Sequence, residues 1–170
     1  KRVTSSRKHL KAIQRPQRPG VATHKLVRAG PEKSWSYGLE AYGLSKANES
    51  RIRSATASAC YRNGSQSCPI VTIGAALGLD ADPLTVGAVR SVSWWLTTWH
   101  HSTHMQPMLR RAWLELRARL SETWCWAAVK GPISTTIMYL HLLGWQHYHP
   151  DKWKDEVGVE WHMTSSLVGQ

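Results

Sequence analysis

Apolar residues recur at helical spacing along most of this chain, and the steps between them predict its elements. From Pro132 to Leu143, Ile133, Ile137, Leu140 and Leu143 follow at intervals of four, three and three, which puts one apolar stripe on one helix face. Pro132 suits the first turn, where its missing N–H has no intrahelical partner, and Gly144 suits a C-terminal cap of positive φ. The same spacing places Leu109, Trp113, Leu116 and Leu120 on one side of a helix from Met108 to Thr123, leaving Arg110, Arg117 and Arg119 for solvent. Val89, Val92, Leu96 and Trp99 predict a helix from Leu84 to about His104, limited by Pro107. Ser45 is placed to cap a helix running to about Arg62, where Asn63-Gly64 ends it. Its apolar face is Ile52, Ala55 and Ala59, with Lys46, Arg51, Arg53 and Arg62 pointing elsewhere. A short helix near Ile70 to Leu77 precedes a turn at GLDADP.

After Gly144 the pattern changes. Trp145, His147 and His149 alternate with Gln146 and Tyr148, Pro150 interrupts, and DKWKDEVGVEWHM reads as two short extended runs around a turn at Gly158. Residues 1–34 carry no such order: Pro16, Pro19, Gly20, Gly30 and Pro31 punctuate them, with one helical stretch from Val21 to Ala29. The expected fold is mainly α: a helical bundle with a short β-hairpin near the C-terminus and a flexible basic N-terminal arm. Its expected parts are the arm at 1–34, the bundle at 35–143, the hairpin or connector at 144–163 and a tail at 164–170.

Charge changes the picture at one end. Nine cations, from Lys1 to Arg28, precede the first acid, Glu32, in a chain of net charge +11. An anionic polymer is the natural partner. Candidate contacts are Lys8, Lys11, Arg15, Arg18, Lys25 and Arg28 in the basic segment, with Arg51 and Arg53 on the helix after Ser45. The plain alternative is a solvated basic segment without a specific ligand. The longest apolar run, Pro69 to Leu79, is about half of the ~20 residues that cross a bilayer, so no membrane partner is expected. Cys60, Cys68 and Cys125 lack C-x-x-C spacing and fit a reduced, intracellular protein. Ten Trp against no Phe is an odd balance that carries no function by itself. The 170 residues would fill one domain, and a start at Lys1 rather than Met suggests a piece of a longer protein.

Catalytic chemistry is harder to place. His100 and His104 would share a helix face as two zinc ligands do, but His101 stands where the general base, a Glu beside the first His, would be needed. A packed or exposed His cluster is expected there, with a structural zinc completed by a distant Cys as the lesser alternative. His147 and His149 read as surface or packing residues. Asp80 and Asp82 invite comparison with paired metal-binding carboxylates, yet their place before Pro83 and a helix is better suited to turn formation and capping. No catalytic residue and no metal ligand is assigned.

YGLEAYGLS (Tyr37 to Ser45), the Arg-bearing helix after it, LGLDADP, the Trp-rich helix, and VKGPISTTIMYLHLLGW with PDKWKDEVGVEW together resemble non-LTR (LINE-type) retrotransposon reverse transcriptases, especially those abundant in dinoflagellate genomes. The likeness covers about Val21 to Met163, is strongest from Val129 to Trp161, and falls after the polymerase palm, in the thumb and the segment leading toward a ribonuclease H-like region. It implies an element-encoded, RNA-directed DNA polymerase that copies its RNA into DNA at a nicked chromosomal site. It further implies Mg²⁺ on palm aspartates of the parent enzyme, an RNA/DNA template-primer and an upstream palm domain as partners, and the nucleus as the place of action. The chain departs from the family in lacking the Tyr/Phe-x-Asp-Asp strand and any assignable endonuclease or ribonuclease H carboxylates. The expectation is therefore a part that binds no cofactor and does no chemistry itself, a thumb-like element gripping the template-primer backbone. A stand-alone basic helical nucleic-acid-binding module and an inactive remnant of a decayed element are the alternatives.

Overall fold

The computed structural model describes residues 2–14, 23–60 and 68–163. It is mainly helical with one antiparallel hairpin near the C-terminus, as the apolar pattern predicts. Its contacts form two compact units, Lys1–Gly38 with Leu44–Gly87, and Leu39–Gly43 with Ala88–Gln170. In them the described basic residues pack with the helices they cover, and the hairpin with the helices whose indoles it receives.

In unit 1 the helices are α1 (Arg2–Gln14), α2 (Thr23–Val27), α3 (Lys33–Ser36), α5 (Lys46–Cys60) and α6 (Pro69–Leu77). The described part of the basic segment is thus helical and packed: α1 lies against α5, and its Leu10 is buried with Val27, Ala57, Ala59, Ile73, Leu77 and Ala81. Small Ala side chains on α5 let the neighbouring helices approach closely. Ser45 caps α5 as expected, its Oγ accepting the Asn48 N–H at 3.4 Å. The expected stop at Gly30-Pro31 is instead a π-helical turn, Arg28–Glu32, linking α2 to α3. A wider turn accommodates Pro31, which lacks an N–H and whose ring would clash with the preceding turn of an α-helix. The expected helix end at Asn63-Gly64 lies outside the described residues.

Unit 2 holds α4 (Leu39–Tyr42), the greater part of α7 (Pro83–His101), α8 (Gln106–Ser121), α9 (Pro132–Leu142) and the strands β1 (Lys152–Lys154) and β2 (Glu160–His162). α7 ends sooner than expected, and Pro107 serves in the first turn of α8. Trp95, Trp99, Leu109, Trp113, Ile137, Leu140 and Trp153 form the centre of the core. α9 corrects the single-stripe reading: Ser134 through Leu140 are all buried, so the helix is enclosed on every side. The hydroxyls of Ser134, Thr135 and Thr136 tolerate burial because each finds a carbonyl. Ser134 Oγ and Thr135 Oγ1 donate to Gly131 O at 2.9 Å, and Thr136 Oγ1 lies 3.1 Å from Ser91 O and 3.0 Å from Pro132 O. Both predicted punctuation glycines have positive φ, +76° at Gly144 and +93° at Gly158.

Three of the ten indoles donate to backbone carbonyls. Trp95 Nε1 donates to Pro150 O at 2.8 Å, Trp113 Nε1 to His147 O at 3.2 Å and Trp153 Nε1 to His149 O at 3.1 Å. Three large apolar side chains therefore also satisfy three carbonyls of the irregular segment before β1, which Phe could not do.

Candidate nucleic-acid interface

Unit 1 contains fourteen of the twenty-two Lys and Arg but four of the eleven Asp and Glu, so ten of the eleven net positive charges belong to it. Asp80, Asp82 and Glu49 are engaged internally. Asp80 pairs with Arg28 at 3.0 Å, while Asp82 and Glu49 both pair with Arg53, at 2.6 and 2.7 Å. Asp80, Asp82 and Glu49 are thus committed to two particular arginines, while Lys8, Lys11, Lys25, Lys33, Lys46 and Arg51 are exposed.

The predicted contact residues separate accordingly. Lys8 and Lys11 are exposed three residues apart on α1, Lys25 is exposed on α2 and Arg51 on α5. Helices α1, α2 and α5 pack against one another. These four cations therefore decorate one helical assembly, and no ion pair holds them among the described residues. Arg53 does not fit the expected role: its guanidinium clamps Asp82 through Nε at 2.6 Å and Nη2 at 2.8 Å, with its side chain only 18% exposed. The bond to Asp82 raises its pKa further. Arg28 is half committed, donating to Asp80 and to the carbonyl of Leu77 at the end of α6, where it serves as a C-terminal cap. Arg15 and Arg18 lie outside the described residues. Lys46, read in sequence as part of the polar face of α5, is exposed, and so is Lys33, which the sequence pattern does not single out.

The candidate chemistry resolves into structure. Asp82 accepts the Leu84 N–H at 3.0 Å and so caps α7, as its place before Pro83 predicts. With one carboxylate clamped by Arg53 and the other facing Arg28, Asp80 and Asp82 do not fit a two-metal centre. His101 Nδ1 lies 2.9 Å from the Thr97 carbonyl of its own helix, and His104 is exposed. No group of three or more metal-capable side chains gathers among the described residues. Burial pushes the Cys60 thiol up to about 11, which keeps it protonated and unreactive at neutral pH. No helix among the described residues is long and apolar enough to cross a membrane.

In unit 2 a histidine is enclosed. His147 is 4% exposed, its Nδ1 lies 2.7 Å from Trp145 O, and its Nε2 has no partner. The short contact to a carbonyl makes Nδ1 the protonated nitrogen of the neutral ring. Trp124 meets its edge, and the same indole stacks on His141 at 3.6 Å between centroids. Burial lowers the His147 pKa to about 4, against the bond to Trp145, and the positive charge of Arg117 and of protonated His141 lowers it further. Since the folded value lies below the unfolded value of about 6.5, the unfolded chain takes up the proton first as pH falls. The stabilisation is complete above pH 6.5 and is lost progressively toward pH 4, by up to about 3 kcal/mol. Denaturant melts at pH 7 and pH 4.5 should show this loss in the parent and a shallower dependence in His147→Gln. Equal pH dependence in the two proteins would refute the assignment.

No family model, curated protein or solved structure matches this chain.

Proposed function

We propose that unit 1 binds the phosphate backbone of nucleic acid without reading sequence, and that the chain acts as the thumb-like, template-primer-gripping part of an RNA-directed DNA polymerase of the LINE type. The observation that carries the first half is the partition of charge: ten of eleven net positive charges lie in one unit, in which the acids Asp80, Asp82 and Glu49 are already paired with Arg28 and Arg53. Lys and Arg on helix surfaces contact phosphates in any sequence, which positions a duplex without specifying it. The second half rests on the resemblance of residues 37–45 and 129–161 to retroelement polymerases, and with it go a nuclear place of action, an upstream palm and its Mg²⁺. In that setting the chain holds the substrate while the chemistry proceeds elsewhere.

The salt dependence of binding tests the first half. On an RNA–DNA hybrid, replacing Lys8, Lys11, Lys25 and Arg51 together by Ala should flatten the slope of log affinity against log salt. The decrease should approach ~3.6, at ~0.9 for each phosphate contact removed. An unchanged slope removes these residues from the interface. The reading frame upstream of Lys1 tests the second half: a palm encoded there supports the polymerase reading, and its absence leaves a stand-alone binding module.

A further inference from the structure

The alternation that begins at Trp145 sorts side chains onto two sides of a small sheet. β1 pairs with β2 in the register Lys152↔His162, Trp153↔Trp161 and Lys154↔Glu160. On its other edge it bridges Gln146, whose N–H reaches Lys154 O at 2.8 Å and whose O accepts the Lys154 N–H at 2.9 Å. Trp145, His147 and Trp153 turn toward the aromatic core, with Trp161 stacked on Trp145. Gln146, Tyr148, Lys152, Lys154 and Glu160, together with His149 and an edge of Trp153, line an open groove of about 140 Å³ on the sheet. Tyr148 is 57% exposed, and the Arg117 guanidinium covers its ring at 4.3 Å from the centroid.

We propose that this groove binds an unpaired nucleotide of single-stranded nucleic acid. The base stacks on the Tyr148 face that Arg117 leaves uncovered, Gln146 offers its amide to the base edge, and Lys152 and Lys154 hold the flanking phosphates. Each part of the groove narrows the ligand. An aromatic wall backed by a cation suits a flat π-system, which inorganic phosphate lacks. Two lysines against one carboxylate favour an anion, and that carboxylate, Glu160, is itself held by Lys152 at 3.0 Å and lies 3.4 Å from His162. A paired base hides its face in the stack, so the ligand must be single-stranded. The inference goes beyond the backbone grip assigned to unit 1 and stands on unit 2 alone.

The test uses the full chain carrying the Lys8, Lys11, Lys25 and Arg51 to Ala substitutions, so that the unit 1 contacts proposed above are absent from parent and variants alike. Binding of a labelled octa-adenylate RNA is followed by anisotropy. Tyr148→Ala should weaken it about 5- to 150-fold, the range for loss of one base stack, while Tyr148→Phe should match its parent within about twofold. Replacing Lys152 and Lys154 by Ala should lower the salt slope by ~1.4, at ~0.7 per single-strand contact. Tyr148 is exposed, and an unchanged near-ultraviolet circular dichroism spectrum of the indoles will confirm that the fold is kept. Absent octamer binding, or equal affinity of the Ala and Phe variants, overturns the proposal. So does competition by an octa-glutamate peptide as strong as by unlabelled octamer, which marks a surface that selects charge alone. An unaltered hybrid-binding slope in the unit 1 variant would sink the backbone reading and leave this one standing.

Discussion

Trp113→Ala should destabilise unit 2 by about 3 to 5 kcal/mol, the range for removing a large aromatic side chain from a core. Trp113 is fully buried, its ring centroid 4.7 Å from that of Trp95 and 5.9 Å from that of Trp153, and its Nε1 donates to the His147 carbonyl at 3.2 Å. The substitution opens a cavity between α8 and the segment before β1 and strips that carbonyl of its donor. Trp113→Phe separates the two effects. It retains much of the apolar volume but not the N–H, and should cost about 1 to 3 kcal/mol through the unsatisfied carbonyl and the smaller ring. Denaturant unfolding followed by near-ultraviolet circular dichroism reports on the coupled indoles of this unit. A loss under about 1 kcal/mol for Trp113→Ala would mean that the indole cluster is not what holds the hairpin to the helices.

That cluster shows which parts of the fold were legible in the sequence. The helix limits at Pro132 and Gly144, the stripe on α8 and the turn at Gly158 all depend on neighbours within a few residues, and each was readable. The enclosure of α9 was not, because Ser134, Thr135 and Thr136 read as a polar face until their hydroxyls are seen bonded to carbonyls. The π-helical turn at Arg28–Glu32 was missed for a related reason: Pro31 excludes an ordinary α-helical turn, but not a wider one. The indole donors were hidden in plain composition, since ten Trp say nothing of which carbonyls lie 34 or 55 residues away.

Legibility of the candidate site divides along the same line. Net charge and its concentration near Lys1 are properties of sequence, and they pointed to unit 1. Which cations remain for a ligand depends on acids distant in the chain. Arg51 and Arg53 look alike in sequence, yet Arg53 faces Asp82 across 29 positions while Arg51 faces solvent. At the hairpin the alternation from Trp145 to His149 was visible, but its consequence was not. Only the bridge between Gln146 and Lys154 fixes which residues share the side of Lys152 and Tyr148.

The pair that distinguishes Arg53 from Arg51 yields the second large effect. Asp82 accepts two bonds from Arg53 and one from the Leu84 N–H, with its side chain 9% exposed, and Glu49 holds the same guanidinium at 2.7 Å. Asp82→Ala removes the α7 cap and leaves Arg53 with one carboxylate instead of two. Breaking a buried pair costs about 3 to 5 kcal/mol, and because Glu49 stays in place we expect the low end, about 3 kcal/mol. Asp82→Asn keeps an oxygen for the Leu84 N–H and should recover about 1 kcal/mol of that, the ordinary worth of a cap. Arg53→Met combined with Asp82→Asn and Glu49→Gln should recover more, because neither a guanidinium nor a carboxylate is then left short of a partner. Chemical denaturation of the three variants checks this order, and equal stability of Asp82→Ala and the parent would contradict it. The same variants separate folding from binding. If Arg53 serves Asp82 and Arg51 serves the ligand, Arg53→Met with Asp82→Asn and Glu49→Gln leaves the salt slope on an RNA–DNA hybrid unchanged, while Arg51→Ala alone lowers it by ~0.9. A slope that falls with Arg53 and not with Arg51 would reverse the two roles, placing the phosphate contact on the side chain that the carboxylates enclose.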